Sequence, residues 1–145
     1  EVPAHDQLLA IDLLQLMLNH EADYTNTFVR LTLAVDGQDG HDLDGTEPLF
    51  STEAFSAWKT RWHARLDEQA QSRLEAAAQM KSANPFVIPR NALVEAALEA
   101  AEARDMQPFN ALLSVLQHPF DPESNIRAYQ GVPKDSRGYV TFCGT

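Results

Sequence analysis

Residues 6 to 19, DQLLAIDLLQLMLN, carry Leu8, Leu9, Ile11, Leu13, Leu14, Leu16, Met17 and Leu18. Wound as a helix, they leave only a narrow polar stripe of Asp12, Gln15 and Asn19. Such a helix has to be covered on more than one side. Two arrangements meet that demand: a central helix with the core built around it, or a helix whose second apolar side packs on sequence outside this chain. Both bury helix against helix.

The rest of the chain reads the same way. A helix is expected from Asp23 to Val35, with Asp23 as its N-cap and Tyr24, Thr27, Phe28 and Leu31 on one face. DGQDGHDLDG, residues 36 to 45, is too rich in glycine and aspartate for a helix or strand and reads as a solvated acidic loop. Setting Asp42, Asp44 and Gly45 at the third, fifth and sixth positions of a calcium loop puts Gly40 and Ser51 where its first and last carboxylates belong, so a calcium site is not expected. From Ser51 or Thr52 to about Ser82, alanine, leucine, glutamate, glutamine and arginine predict one long helix. Its aromatic stripe, Phe55, Trp58, Trp62 and Leu66, is expected in the core rather than in a binding groove. Arg61, Arg65 and Arg73 flank that stripe as surface arginines that can pair with acidic neighbours.

NPFVIPRN, residues 84 to 91, ends the long helix, because Pro85 drives Asn84 out of the α region and a second proline follows at 89. It predicts a rigid extended connector, with Asn91 capping the next helix and Arg90 held by a carboxylate or by carbonyls. A helix is expected from Asn91 to Arg104, with Leu93, Val94, Ala97, Leu98 and Ala101 inward and Glu95, Glu99 and Glu102 outward. Another is expected from Pro108 to Gln117, presenting Phe109, Leu112, Leu113 and Leu116. HPFDP terminates it, and residues 123–145 show no period and read as an irregular tail.

Composition narrows the function. A chain of 145 residues fits one domain, and one of that length buries roughly 68–70% of its unfolded surface. With 21 acidic and 11 basic side chains the net charge is −10, which repels nucleic acid and anionic lipid. No apolar run approaches the ~18 residues of a membrane span, and EVPAHDQ has neither half of a signal peptide. A cytoplasmic setting is the default expectation. Glu1-Val2-Pro3 reads as the interior of a longer chain.

The residues themselves assign no catalytic role. There is no glycine-rich phosphate loop followed by lysine, and the histidines at 5, 20, 41, 63 and 118 never fall at metal-ligand spacing. Cys143, the only cysteine, stands in the terminal F-C-G-T. Three roles are open to it: a nucleophile paired with a histidine in space, an inert tail residue, or a thiol that forms a disulfide.

Several stretches, in order, resemble the C-terminal region of the selenoprotein O family of kinase-like protein adenylyltransferases. They are DYTNTFVRL, FSAWKTRWHARL, NPFVIPRNALVEAALEAA, LLSVLQHPFD and the terminal FCGT, with NPxxIxRN followed by LLxxLxHPFD the most specific pair. Trp58, Trp62, Asn84, Pro85, Arg90, Asn91, His118 and Pro119 are the motif residues, and they carry no catalytic role. The resemblance implies a parent that moves AMP from ATP to protein hydroxyls with magnesium or manganese, its nucleotide and metal residues upstream of this region. It also implies that Cys143, at a position that some members fill with selenocysteine, links by a disulfide to the activation segment of the kinase-like domain.

The expectation is therefore an all-α chain: a single helical domain over residues 1–122, with five or six helices, and an irregular tail over 123–145 ending in the redox cysteine. As a piece of the parent it would have no activity alone, bind no cofactor itself, and have the parent's kinase-like domain as its partner. The alternative is a free-standing acidic helical interaction module with an incidental cysteine.

Overall fold

The computed structural model describes residues 4–38, 43–121 and 126–132. Cys143, most of the 123–145 tail, and Gly40, His41 and Asp42 of the acidic loop lie outside the described residues. All regular structure among the described residues is helical: α1 Ala4–Asn19, α2 Tyr24–Val35, α3 Glu47–Phe50, α4 Glu53–Asp67, α5 Arg73–Ala83, α6 Asn91–Glu102, α7 Gln107–Leu116, and a 3-10 turn at Ile126–Tyr129. The chain forms two compact units, Glu1–Asn84 and Pro85–Thr145. The division falls inside NPFVIPRN, the stretch that reads as a connector.

In the first unit α1 packs on α4 and α2 on α5. The main core gathers Leu9, Leu13 and Met17 of α1 with Leu31, Leu49, Phe55 and Trp58. A second cluster joins Val35 to Ala76 and Ala77, with Trp62, Leu66 and Met80 against it. The predicted long helix is two helices. Ser72 accepts from the Glu75 backbone while the Glu75 carboxylate accepts from Ser72, a capping box that starts a new helix after Glu68–Gln71. Arg73 then closes the break by donating to Asp67 at 2.7 Å and to the His63 carbonyl at 3.2 Å. Helix-forming composition concealed an S-x-x-E signal that was present in the sequence, and the turn lets α5 return along α2.

Three helices end in the same hydrogen-bonded turn. After α2, Gly37 donates to Ala34 and Gln38 to Leu33; after α1, Glu21 donates to Leu18 and Ala22 to Met17; after α6, Arg104 donates to Ala101 and Asp105 to Ala100. The motif needs a left-handed residue, and only α2 places glycine there, at φ 78°. Glu21 at φ 50° and Arg104 at φ 67° occupy it despite the steric cost of a Cβ.

The acidic loop is not solvated throughout. Leu43 and Thr46 are buried, the Asn26 side chain donates to the Asp44 carbonyl at 2.9 Å, and the Asp23 N–H donates to the Gly45 carbonyl at 2.9 Å. Asn26 supplies the partner that the loop backbone needs once water is excluded. Asp23 also caps α2 as expected, accepting from the Asn26 N–H at 2.8 Å.

In the second unit α6 packs on α7, and Phe86, Val87, Ala97, Leu112 and Gln130 are buried. Asn91 is not the cap of α6. Arg90 holds the N-cap position with no side-chain cap bond, and Asn91 is already the first helical residue. Arg90 stays extended at φ −87° and ψ 127°, so the non-helical backbone that defines the N-cap lies one residue earlier than the side-chain preference suggested.

Candidate functional site

Trp58 lies at the centre of the first unit. It is 3% exposed, stacks 5.7 Å from Phe55 and 5.5 Å from Trp62, and its indole N–H donates to the Leu9 carbonyl at 2.9 Å. The bond ties α4 to α1 inside an apolar core, where an unmatched indole would be expensive. Two exposed-side contacts repeat that tie. Arg65 grips Asp6 with two hydrogen bonds, at 2.6 and 3.0 Å, and Arg61 reaches Asp12 at 2.8 Å. The Arg65 hydrogen bond holds the Asp6 carboxyl below its ordinary value of 3.8, and Asp6 raises Arg65 in return.

Asn84 joins α5 to α2: its side-chain amide donates to Thr32 Oγ1 at 3.1 Å and its N–H to the Met80 carbonyl at 2.8 Å. In the second unit the two most specific motifs meet at one residue. The Phe86 N–H donates to the Pro119 carbonyl at 2.7 Å, and the Phe86 carbonyl accepts from Gln130 Nε2 at 2.7 Å. NPFVIPRN and HPFD are therefore two sides of one backbone clasp, closed by Gln130. Sequence reading missed Gln130, a polar residue in an aperiodic stretch whose only signal is the burial that tertiary structure gives it. His118 stays exposed, with Nδ1 3.4 Å from the Ser114 carbonyl.

One polar cavity opens on α4, about 280 Å³ lined by Ser56, Lys59, Thr60 and His63. The Thr60 hydroxyl is committed to the Ser56 carbonyl, and His63 Nδ1 lies 3.5 Å from the Arg73 guanidinium. Among the described residues no group of three or more His, Cys, Asp or Glu is placed to hold a metal ion, and no helix is long and apolar enough to cross a membrane. Of the motif residues, Trp58, Trp62 and Asn84 belong to the first unit and Pro85, Arg90, Asn91, His118 and Pro119 to the second. Trp58 and Asn84 bind elements together, Pro119 receives Phe86, and none of these bonds sets a nucleophile against a base.

Comparison with known proteins places the chain in a family. The family model described as protein adenylyltransferase SelO matches residues 2–117. The chain is 41% identical over 143 residues to the protein nucleotidyltransferase YdiU of Clostridium beijerinckii, covering 98% of this chain and 28% of that one. It is 42% identical to the YdiU of Methylorubrum populi, over 97% of this chain and 30% of the relative, and 41% identical to that of Halalkalibacterium halodurans, over 98% and 28%. The chain thus spans under a third of the length of these curated relatives. The chain belongs to the protein adenylyltransferase SelO family.

Proposed function

We propose that this chain is the C-terminal helical part of a protein adenylyltransferase and that it serves the parent as scaffold and redox tail. The observation that carries the reading is the match over residues 2–117 to a family whose members are more than three times longer. In the parent, a protein hydroxyl oxygen attacks the α-phosphorus of ATP, pyrophosphate leaves, and the hydroxyl proton passes to a base. In this reading ATP, magnesium or manganese and the protein substrates belong to the kinase-like part of the parent, upstream of the region matched here.

The first helix supports the reading. Of its apolar residues only Leu9, Leu13 and Met17 are buried, while Leu8, Ile11, Leu14 and Leu18 are 47 to 73% exposed along one side. A second buried side is what the sequence demands, and the kinase-like domain of the parent is the partner that would provide it. Cys143 acts in this reading as a switch. Its thiol and a thiol of the activation segment give two electrons and two protons to an oxidant of the glutathione disulfide class, and the new S–S bond restrains the segment.

The experiment compares this chain with the full-length protein. The chain alone should give no heat with ATP and magnesium in calorimetry. The full-length protein should label a protein substrate with AMP in a reductant-dependent manner, and Cys143→Ser should remove that dependence. Saturable ATP binding by the chain alone, or unchanged reductant dependence in the variant, would refute the assignment.

A further inference from the structure

The second unit carries an apolar groove that the function above does not use. It is about 120 Å³, lined by Val94, Ala97 and Leu98 of α6 and by Phe109, Leu112, Leu113 and Leu116 of α7. The sequence places all seven on inward faces, yet Leu98 remains 48% and Leu113 44% exposed. Two helices crossing alone close only one side of their shared apolar surface, and among the described residues nothing covers the other side of Leu98 and Leu113.

The rims of the groove differ in charge. On α6, Glu95, Glu99 and Glu102 sit three before, one after and four after Leu98, which is the spacing of one helical face. All three are exposed, and no ion pair among the described residues engages them. On α7 the exposed positions that flank the groove-lining residues on the helical wheel are Pro108, Asn110 and Gln117, which are uncharged. The surface is therefore an apolar trough with a negative border on one side only.

We propose that this groove binds an amphipathic helix of a separate protein, with apolar residues at i, i+3, i+4 and i+7 and lysine or arginine along one flank. Helix-in-groove recognition supplies the apolar anchors, and the one-sided acidic rim sets the orientation and selects the basic flank. A second copy of this chain is a poor occupant, since each copy carries a net charge of −10 and the same acidic rim. An anionic bilayer is disfavoured by the same charges.

Three synthetic amphipathic peptides with one shared apolar face, flanked by lysine, glutamine or glutamate, test the proposal. In amide-resolved NMR titrations of this chain, the lysine peptide should shift Val94, Leu98, Leu113 and Leu116 and bind ~tenfold tighter than the glutamine peptide, a difference of about 1.4 kcal/mol. Raising salt should erode that preference. Changing Glu95, Glu99 and Glu102 together to glutamine should abolish the preference and keep the apolar binding; Leu113→Asp, at an already exposed position, should abolish both. A photocrosslinking version of the lysine peptide should label α6 and α7 in the full-length protein. Equal affinity for all three peptides overturns the proposal, as do shifts centred on Leu8, Ile11 and Leu18. So does failure to label the groove in the full-length protein, where the parent's own chain would then fill it, and so does a dimer that Leu113→Asp dissolves.

Discussion

The two units show two ways of using helical apolar surface. In the first, large aromatics fill the space between helices, and polar side chains close the seams: Trp58 to the Leu9 carbonyl, Asn84 to Thr32, Asn26 to the Asp44 carbonyl. Arg30 adds a cation over the Phe50 ring at 4.0 Å and a hydrogen bond to Thr46. In the second, α6 has one buried residue, Ala97, and α7 one, Leu112, and a backbone clasp at Phe86 supplies the specific hydrogen bonds. The difference teaches that an amphipathic pattern of ordinary strength yields either a closed core or a partly exposed apolar face, according to how many elements arrive to cover it.

The largest test of that contrast is at Trp58. Trp58→Ala should cost about 3–5 kcal/mol, through the cavity and the lost indole bond, and should unfold the first unit in urea at far lower concentration. Leu112→Ala should cost less, about 2 kcal/mol, because its surroundings already open onto a groove and can relax into it. Equal losses would erase the distinction between a closed core and an open one. Next comes the clasp: Gln130→Ala strands the Phe86 carbonyl and should cost about 1–3 kcal/mol, read as a lower melting temperature and faster amide exchange at Phe86. Ser72→Ala should cost about 1 kcal/mol and fray the start of α5. Arg104→Gly should stabilise the end of α6 by up to ~1 kcal/mol, since glycine adopts the left-handed conformation without a Cβ clash.

The smallest effect is the acid response of the first unit. Arg65 holds the Asp6 carboxyl below its ordinary 3.8, and the hydrogen bond from Ser72 holds Glu75 below its ordinary 4.5. A carboxyl depressed on folding contributes stability that is complete above its unfolded value and is lost as pH falls through the folded one. Melting temperature should therefore drop as pH is lowered below about 4.5, and Arg65→Ala should flatten the part of that drop that Asp6 causes. A second-unit change such as Leu113→Asp should leave the Asp6 and Glu75 contributions intact.

The amino-acid sequence by itself determined that the chain is helical, where α2 begins and ends, and where the connector falls. These depend on local physics: Asp23 at an N-cap, Gly37 in a left-handed turn, two prolines within NPFVIPRN. It also marked Trp58 and Trp62 as core, because large aromatics at helical spacing seldom find stability elsewhere. The break between α4 and α5 was legible in Ser72 and Glu75 but was outweighed by the helix-forming residues around it. Only the tertiary structure decided which sides of amphipathic helices are covered. Leu9 and Leu8 are identical neighbours in sequence, yet one is 8% and the other 60% exposed; Leu112 and Leu113 divide in the same way, at 6% and 44%. Periodicity says that a face is apolar, whereas burial depends on whether another element reaches it. Gln130 states the converse, since its value lies in a carbonyl 44 residues away.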